Sequence, residues 1–265
     1  MSQKYSTFGI CLLLMKKVVL LGGGNVAYHL AKKLSQSTEY QLIQIYNRSS
    51  LSPEFDTIPV EKTSLMEALL PADIYILSVK DQAIAPLSSS LPFKGRLVVH
   101  TSGSVPMKDL SDRQRRGVCY PLQSFSKEQE IDFSKIPFCL ETEEATDFAL
   151  LEGLAKEFSP KCYAIDSLQR QYLHVAAVFL NNFANHMWYL SQQLCSNQQI
   201  PFELLQPLLE ETCRKGLQHN FFEGQTGPAK RGDRAVIEKH LQLLQGIEKD
   251  IYKDISTSIL TTYGQ

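Results

Sequence analysis

Residues 17–34 read KVVLLGGGNVAYHLAKKL, an apolar run followed by a glycine turn and an amphipathic segment. The turn has the spacing G-x-G-x-x-A, in which Gly22 permits a tight turn and Gly24 lets a pyrophosphate approach the backbone. The first N–H groups of the following helix, at Asn25 and Val26, would face the phosphates. The motif is weak alone, but a strand before it and a helix after it favour a dinucleotide site over an ordinary turn.

The segment after the second predicted strand indicates which dinucleotide is bound. Residues 41–46 read QLIQIY, and NAD enzymes usually end this strand with a carboxylate that binds the ribose 2′-OH. Here Asn47, Arg48 and Ser49 follow instead. Arginine pairs with a 2′-phosphate and a serine hydroxyl can donate to it, so the sequence favours NADP over NAD. The alternative is a solvated turn with a surface arginine.

Composition excludes several classes of protein. The 265 residues suffice for one large domain or two medium ones, and 27 basic residues against 28 acidic ones give no support for nucleic-acid or membrane-surface binding. Six scattered cysteines without a C-x-x-C pair indicate reduced core residues, not a metal site or a disulfide framework. No apolar run is long enough to span a bilayer. We therefore expect a cytoplasmic protein.

The hydrophobic pattern changes near residue 166. Before it, short apolar strands alternate with helices, which predicts an α/β fold with a doubly wound, mostly parallel Rossmann sheet. After it, residues 167–195 contain neither Pro nor Gly and predict one helix of about 28 residues. Further helices are predicted over 202–217, 233–244 and 247–260. The predicted organisation is an N-terminal extension (1–15), an NADP-binding domain (16–166) and an all-helical substrate and dimerisation domain (167–265). The alternative for residues 1–14 is an extra element packed on the core.

Polar loops follow several strands of the predicted sheet. Ligands of open α/β sheets bind outside the carboxyl ends of the strands. The loops predicted to place the nicotinamide contain Val79, Lys80, His100, Thr101, Ser102 and Gly103. Beside them, the predicted substrate contacts are Ser104, Gln123 and Ser124. The alternative is plain turn chemistry at strand ends, because Ser and Gly favour turns.

The long helix carries a polar stripe. Steps of seven and four residues bring His174, Asn181 and Asn185 to one face of an α-helix. His174 is the candidate proton donor because histidine titrates near neutral pH, Asn181 is placed beside it as catalytic, and Asn185 as a substrate contact. The alternatives are a core histidine and amides that cap backbone groups. Lys230 and Arg231 suit an anionic group of substrate or cofactor, or else lie in a solvated helix connection.

These motifs together resemble a known family. They read GGGNVAxHL, YNRS, SVKD, HTSGS, YPLQSFS, HxAAVFxNNFxNH and TGPAxRGD, and they extend over nearly all of residues 16–265. The chain resembles a bacterial family of Rossmann-like proteins with a C-terminal helical domain of unknown function. That family is related to deazaflavin-dependent NADP oxidoreductases, pyrroline-5-carboxylate reductase and ketopantoate reductase. The resemblance implies NADP as cofactor, a helical domain like that of 6-phosphogluconate dehydrogenase, and a homodimer.

Two departures from related enzymes shape the functional hypothesis. The β-hydroxyacid dehydrogenases of this superfamily carry a catalytic lysine early on the long helix, but no lysine occurs over residues 167–195. Tyr120 stands where the family pattern leads us to expect histidine, so we assign it no catalytic role. The leading hypothesis is an NADP(H)-dependent oxidoreductase acting on a small carbonyl or imine held between the domains. The alternatives are a non-catalytic NADP(H) sensor or partner-binding protein, and hydride exchange between NADP and a deazaflavin.

Overall fold

The computed structural model describes residues 15–218 and 221–264. The chain forms two compact units, of which the first ends at Val178 and the second begins at Phe179. The predicted extension is residues 1–15, and all of these except Met15 lie outside the described residues.

The first unit is built on a sheet to which eight strands contribute within the described residues. The strands are Lys16–Leu21 (β1), Tyr40–Tyr46 (β2), Glu61–Thr63 (β3), Ile74–Leu77 (β4), Leu97–His100 (β5), Arg115–Pro121 (β6), Phe138–Thr142 (β7) and Cys162–Ala164 (β8). Their order is β3-β2-β1-β4-β5-β6-β7-β8. Neighbours run parallel except for β6 and β7. The predicted doubly wound, mostly parallel α/β sheet is therefore confirmed.

Helices cover both faces of this sheet. They are Asn25–Leu34 (α1), Asp81–Ser90 (α2), Ala145–Phe158 (α3) and Ser167–Ala177 (α4). Successive side chains of β1 point to opposite faces. Val18 and Leu20 belong to one buried cluster, and Val19 and Leu21 to another. Burial on both faces explains why the strands are continuous apolar runs without alternation.

Some predicted local boundaries are wrong. The helix predicted over residues 64–70 is only a 3-10 turn, Met66–Ala68. A strand was predicted over residues 118–120, but β6 is longer because its outer residues pair with β5 and β7. The strand predicted over residues 74–79 ends at Leu77, and the chain turns at Ser78 below the glycine turn.

The second unit is helical throughout its described elements, which confirms the predicted helical C-terminal region. A π-helical segment, Val178–Phe183, leads into Ala184–Asn197 (α5). The unit continues with a 3-10 turn at Phe202–Leu205 and the helices Gln206–Gln218 (α6), Phe221–Gly224 (α7), Arg234–Leu243 (α8) and Gly246–Tyr263 (α9). Asp233 caps α8, as its position before the helix predicted, by accepting from the Val236 N–H. Within the described residues, the helices are too short or too polar to span a bilayer.

The prediction of one uninterrupted α-helix over residues 167–195 is wrong. α4 and α5 are separated by the π-helical segment, which has more residues per turn than an α-helix. The predicted common face of His174, Asn181 and Asn185 assumed a constant period of 3.6 residues. That assumption does not hold across the π-helical turn.

An ion pair holds α4 on the sheet. The Arg170 guanidinium is fully buried, pairs with Glu141 of β7 and donates to the Val105 carbonyl at 2.7 Å. Gln171 donates to the Ser104 carbonyl at 3.0 Å. Asp166 begins the helix with a capping box that includes Gln169. These contacts explain why the first compact unit extends to Val178, whereas we predicted a domain boundary at residue 166.

Candidate functional site

The glycine turn between β1 and α1 has the geometry of a phosphate-binding turn. Gly22 has φ +134°, and a Cβ at this position would lie 2.0 Å from the Ser78 carbonyl oxygen. Gly24 precedes α1, and no heavy atom of the described residues lies within 4 Å of where its Cβ would be. The first turn of α1 holds no carboxylate, so no acidic side chain of that turn neutralises the positive end of its dipole. These features fit a pyrophosphate.

The side chain of Asn25 is already engaged. Its Nδ2 donates to the Phe125 carbonyl at 2.8 Å, and one turn later His29 Nε2 hydrogen-bonds the Ser126 carbonyl at 2.8 Å. Both bonds hold residues 121–127 against α1. One side-chain N–H of Asn25 is therefore used inside the protein, and its backbone N–H, beside that of Val26, is the group that we expect to meet a phosphate.

The loop after β2 lies directly on the glycine turn. A Cβ at Gly23 would lie 2.7 Å from Leu51 Cδ2, and Asn47 shapes the loop by donating from Nδ2 to the Ser49 carbonyl at 2.8 Å. Arg48 and Ser49 are exposed. Residues 41–53 contain no Asp or Glu, so no carboxylate of this stretch would repel a 2′-phosphate.

Lys127 is a second cation at this loop, and the sequence analysis missed it. Its Nζ donates to Ser52 Oγ at 2.5 Å and lies 5.3 Å from the ring centroid of Phe55. Only 15% of the side chain is exposed, and Nζ forms an ion pair with Glu54 Oε2 at 3.9 Å. Lys127 follows the YPLQSFS motif directly, but 75 residues separate it from Ser52, so no local pattern indicates this contact.

The loops after β4 and β5 meet at the carboxyl edge of the sheet, the edge where the parallel strands end. Thr101 Oγ1 donates to Ser78 Oγ at 3.3 Å. Ser104 donates to Asp81, and its Oγ lies 3.3 Å from Ser102 Oγ. The Ser102 and Ser104 hydroxyls, which we predicted to contact a ligand, thus hydrogen-bond each other, and the Ser104 hydroxyl also bonds Asp81. By contrast, Lys80 is exposed, and Val79 and Thr101 are partly exposed.

His100 is closed off from this edge. Its side chain is fully buried, and Nδ1 accepts from the Ser102 N–H at 3.1 Å. Burial, followed by the nearby Arg170 guanidinium, lowers the pKa of His100 to about 3, so the imidazole is neutral. The side chain supports the loop after β5, and the expected cofactor contact of His100 stays a prediction.

His174 reaches the carboxyl edge and meets a tyrosine there. Its Nδ1 lies 3.2 Å from the Tyr120 hydroxyl oxygen, and the two ring centroids are 6.1 Å apart. A Cβ at Gly103 would lie 2.6 Å from His174 Nδ1 and 2.7 Å from Tyr120 Cζ, so only glycine allows this approach. Burial raises the pKa of Tyr120 to about 12, so the phenol keeps its proton. The site contains Tyr120, to which the sequence analysis gave no catalytic role.

The remaining predicted site residues fall in two places. Gln123 and Ser124 are exposed in the segment held by α1, and Gln123 Oε1 accepts from the Ser124 N–H at 2.9 Å. The others belong to the helical unit, where Asn181, Asn185 and Arg231 are exposed. Lys230 Nζ donates to the Gln225 carbonyl at 2.7 Å and lies 5.8 Å from the Tyr263 ring centroid. Their roles toward a substrate stay predictions.

The described ranges contain no group of three or more His, Cys, Asp or Glu residues that could hold a metal ion. The site therefore has to be interpreted from its backbone turn, its cations and its proton-bearing side chains.

Two family descriptions match the chain in succession. Residues 17–103 match the coenzyme F420-dependent NADP oxidoreductases, and residues 136–259 match a domain of unknown function, DUF2520. No curated protein matches the sequence.

Solved structures extend the comparison to both domains. BF3122 from Bacteroides fragilis, named a "putative NADP oxidoreductase", is 37% identical with a TM-score of 0.83, covering 94% of this chain and 99% of its own. A reductive aminase from Aspergillus terreus, in complex with NADPH4, cyclohexanone and allyl amine, has a TM-score of 0.67 at 14% identity, covering 95% and 96%. An imine reductase from a Pseudomonas species has a TM-score of 0.58 at 17% identity, covering 86% and 83%.

The last two likenesses show the fold alone, which is that of dehydrogenases and reductases. The likeness to BF3122 extends over almost the whole of both chains at an identity that shows a common family. The chain therefore belongs to the family in which a Rossmann-like NADP-oxidoreductase domain is followed by the helical DUF2520 domain.

Proposed function

We propose that this chain is an NADP(H)-dependent oxidoreductase that exchanges a hydride with a small carbonyl or imine substrate. The observation that carries the proposal is the open space at Gly24 beside residues 47–53, which include Arg48 and no carboxylate. The first feature fits a pyrophosphate and the second fits a 2′-phosphate. Membership of a family of NADP oxidoreductases supports the same cofactor.

Different residues of the chain would bind the different parts of NADPH. The N–H groups at the start of α1 would hold the pyrophosphate, and Arg48, Ser49 and Lys127 would surround the 2′-phosphate. The loops after β4 and β5 would orient the nicotinamide at the carboxyl edge. When bound, NADPH supplies a hydride to the carbon of the acceptor double bond.

A carbonyl or imine acceptor suits the groups at the edge. Reduction of either needs one proton at the heteroatom, and the histidine and tyrosine at the edge carry exchangeable protons. The lysine of β-hydroxyacid dehydrogenases is missing from residues 167–195. The fold is shared with an imine reductase and a reductive aminase, which adds support for this substrate class.

Arg48→Ala tests the cofactor assignment. We expect NADPH affinity to fall about 10- to 100-fold, because a charge-assisted hydrogen bond contributes about 1.5–3 kcal/mol. NADH affinity should stay within about twofold, because that cofactor has no 2′-phosphate for the guanidinium to bind. Isothermal titration of both cofactors against both proteins measures the change in preference.

The matched control is Arg113→Ala, which removes another exposed arginine at a distance from this loop in sequence and should leave both affinities unchanged. An Arg48→Ala protein that still prefers NADPH to the wild-type extent would contradict the role of Arg48. Wild-type protein that binds neither cofactor would contradict the proposed function itself.

The two other hypotheses predict different assay results. A non-catalytic sensor binds NADPH but reduces no carbonyl or imine. Hydride exchange with a deazaflavin predicts NADPH-dependent bleaching of an oxidised 5-deazaflavin. The F420-dependent family description matches residues 17–103 only, so it supports the dinucleotide site more directly than the second reactant.

We also infer a homodimer through the helical unit. Several large apolar residues of this unit have more than half of their surface exposed to solvent. They include Phe179, Leu180, Leu204, Leu208, Leu217 and Phe221. Exposed apolar area on this scale is typical of an interface. Sedimentation equilibrium should give twice the chain mass, and Leu208→Glu should give the monomer. A wild-type monomer at micromolar concentration would contradict the inference.

A further inference from the structure

We propose that Tyr120 is the catalytic proton donor of this site and that His174 positions and reloads it through an Nδ1–H···Oη hydrogen bond. The inference rests on the proposed function, because it names the group that protonates the heteroatom of the acceptor.

The positions of the two residues in the fold give them different tasks. Tyr120 lies near the end of β6, whose carboxyl end is at the same edge as those of β4 and β5. His174 comes from α4 and directs Nδ1 at the Tyr120 oxygen at 3.2 Å. Gly103 packs against the rings of both Tyr120 and His174, and a methyl group at this position would overlap both rings. At 3.2 Å no ligand atom fits between Nδ1 and the phenol oxygen, so a substrate cannot take the place of Tyr120 on Nδ1.

A phenol is suited to this intermediate position. Its oxygen can accept one hydrogen bond from His174 while its own O–H donates to a substrate. Burial keeps the phenol protonated, and Cys139 of β7 adds to the effect while the Arg170 guanidinium opposes it. These are the groups that would influence a titration of Tyr120, together with His174 itself.

Several other polar groups at this edge already have partners inside the protein. His100 is buried and neutral, and Asp81 accepts from Ser104. The Ser102 oxygen accepts from the Ser104 N–H at 3.1 Å. Tyr120 and His174, by contrast, lie within hydrogen-bond distance of each other, which proton transfer between them requires.

The step balances with water and NADPH as co-reactants. The C=O or C=N π bond breaks, the carbon gains the hydride, and the heteroatom gains the Tyr120 hydroxyl proton. The phenolate then takes the Nδ1 proton of His174 while the other ring nitrogen takes a proton from water and leaves hydroxide. Exchange of the ring protons with water restores the Nδ1–H form before the next turnover. His174 is half-buried, which leaves its ring within reach of solvent.

The direction of the hydrogen bond is measurable without cofactor or substrate. In ¹⁵N-labelled protein, long-range ¹H–¹⁵N spectra distinguish an Nδ1–H ring from an Nε2–H ring, and six histidines make assignment by His174→Ala practical. For the uncharged ring we expect Nδ1–H at His174 in wild type and Nε2–H in Tyr120→Phe. An Nε2–H ring in wild type would mean that Nδ1 accepts the phenol proton, which overturns the proposal.

Kinetics test the role of the hydroxyl in the reaction. With NADPH and either 2-methyl-1-pyrroline or cyclohexanone as probe, Tyr120→Phe should lower kcat about 10²- to 10⁴-fold. NADPH affinity should stay within about twofold, because the ring remains. The control Tyr163→Phe alters an exposed tyrosine of β8 and should leave kcat unchanged. His174→Asn should retain more activity than His174→Ala, because an amide can still donate to Oη, but it should lose the wild-type pH dependence.

Failure of the inference differs from failure of the proposed function. A Tyr120→Phe protein that binds NADPH and keeps more than half of wild-type kcat overturns the proton donor and leaves the oxidoreductase in place. Wild-type protein that does not bind NADPH overturns the proposed function. If it binds NADPH but reduces neither probe, the tautomer of His174 decides the proton arrangement.

Discussion

Replacement of Gly22 by alanine is expected to remove NADPH binding and to destabilise the sheet unit. The alanine methyl would lie 2.0 Å from the Ser78 carbonyl oxygen, at a φ of +134° that side chains rarely adopt. Strain of this kind costs about 1–3 kcal/mol, and the backbone overlap adds to it. We expect the apparent melting temperature to fall by about 10 °C, measured by circular dichroism.

Gly24→Ala is the matched control for this prediction. No heavy atom of the described chain lies near the new methyl group, so stability should fall only by the cost of alanine in place of glycine at the N-cap of α1, about 1 kcal/mol. NADPH affinity should still fall at least about tenfold, because the methyl enters the space assigned to the pyrophosphate. Wild-type affinity in Gly24→Ala would contradict that assignment. Wild-type stability in Gly22→Ala would contradict the close contact with Ser78.

Loss of the Glu141 carboxylate is the second change with a large expected effect. Glu141 pairs with the fully buried Arg170 and accepts from the Ser167 hydroxyl at 2.8 Å. Glu141→Ala would leave the buried guanidinium without its counter-charge, which costs about 3–5 kcal/mol. Urea unfolding followed by circular dichroism should show the loss as a lower midpoint.

Glu143→Ala provides the comparison from a neighbouring position. Glu143 pairs with Arg116, but 35% of the Glu143 side chain and 23% of the Arg116 side chain are exposed. Such a pair contributes less than about 1 kcal/mol, so the midpoint should hardly move. Equal losses of stability in Glu141→Ala and Glu143→Ala would show that the buried Arg170 does not need Glu141 as its counter-charge.

Glu141→Ala should also affect the candidate site. Arg170 and His174 lie one turn apart on α4, so loosening this helix would disturb the contact between His174 and Tyr120. A lost Nδ1–H signal of His174 in a folded Glu141→Ala protein would report that coupling directly.

Much of the dinucleotide site follows from local sequence. The glycine turn, the helix after it and the acid-free loop at Arg48 each depend on residues within a few positions of one another. Turn geometry and strand alternation are set by such neighbours. The expectations for Ser102 and Ser104 show the limit, because the same residues that suit a ligand also satisfy one another in a turn.

The amino-acid sequence by itself determined the α/β sheet, the helical C-terminal region and the place of the glycine turn, because hydrophobic period and turn chemistry are local properties. Only the tertiary structure decided that Tyr120 meets His174 across 54 residues, that Lys127 reaches Ser52 across 75, and that Arg170 pairs with Glu141 across 29. Local rules give the face on which a side chain lies. The order in which strands and helices pack decides which distant faces meet, and here that order placed a phenol in front of the predicted histidine.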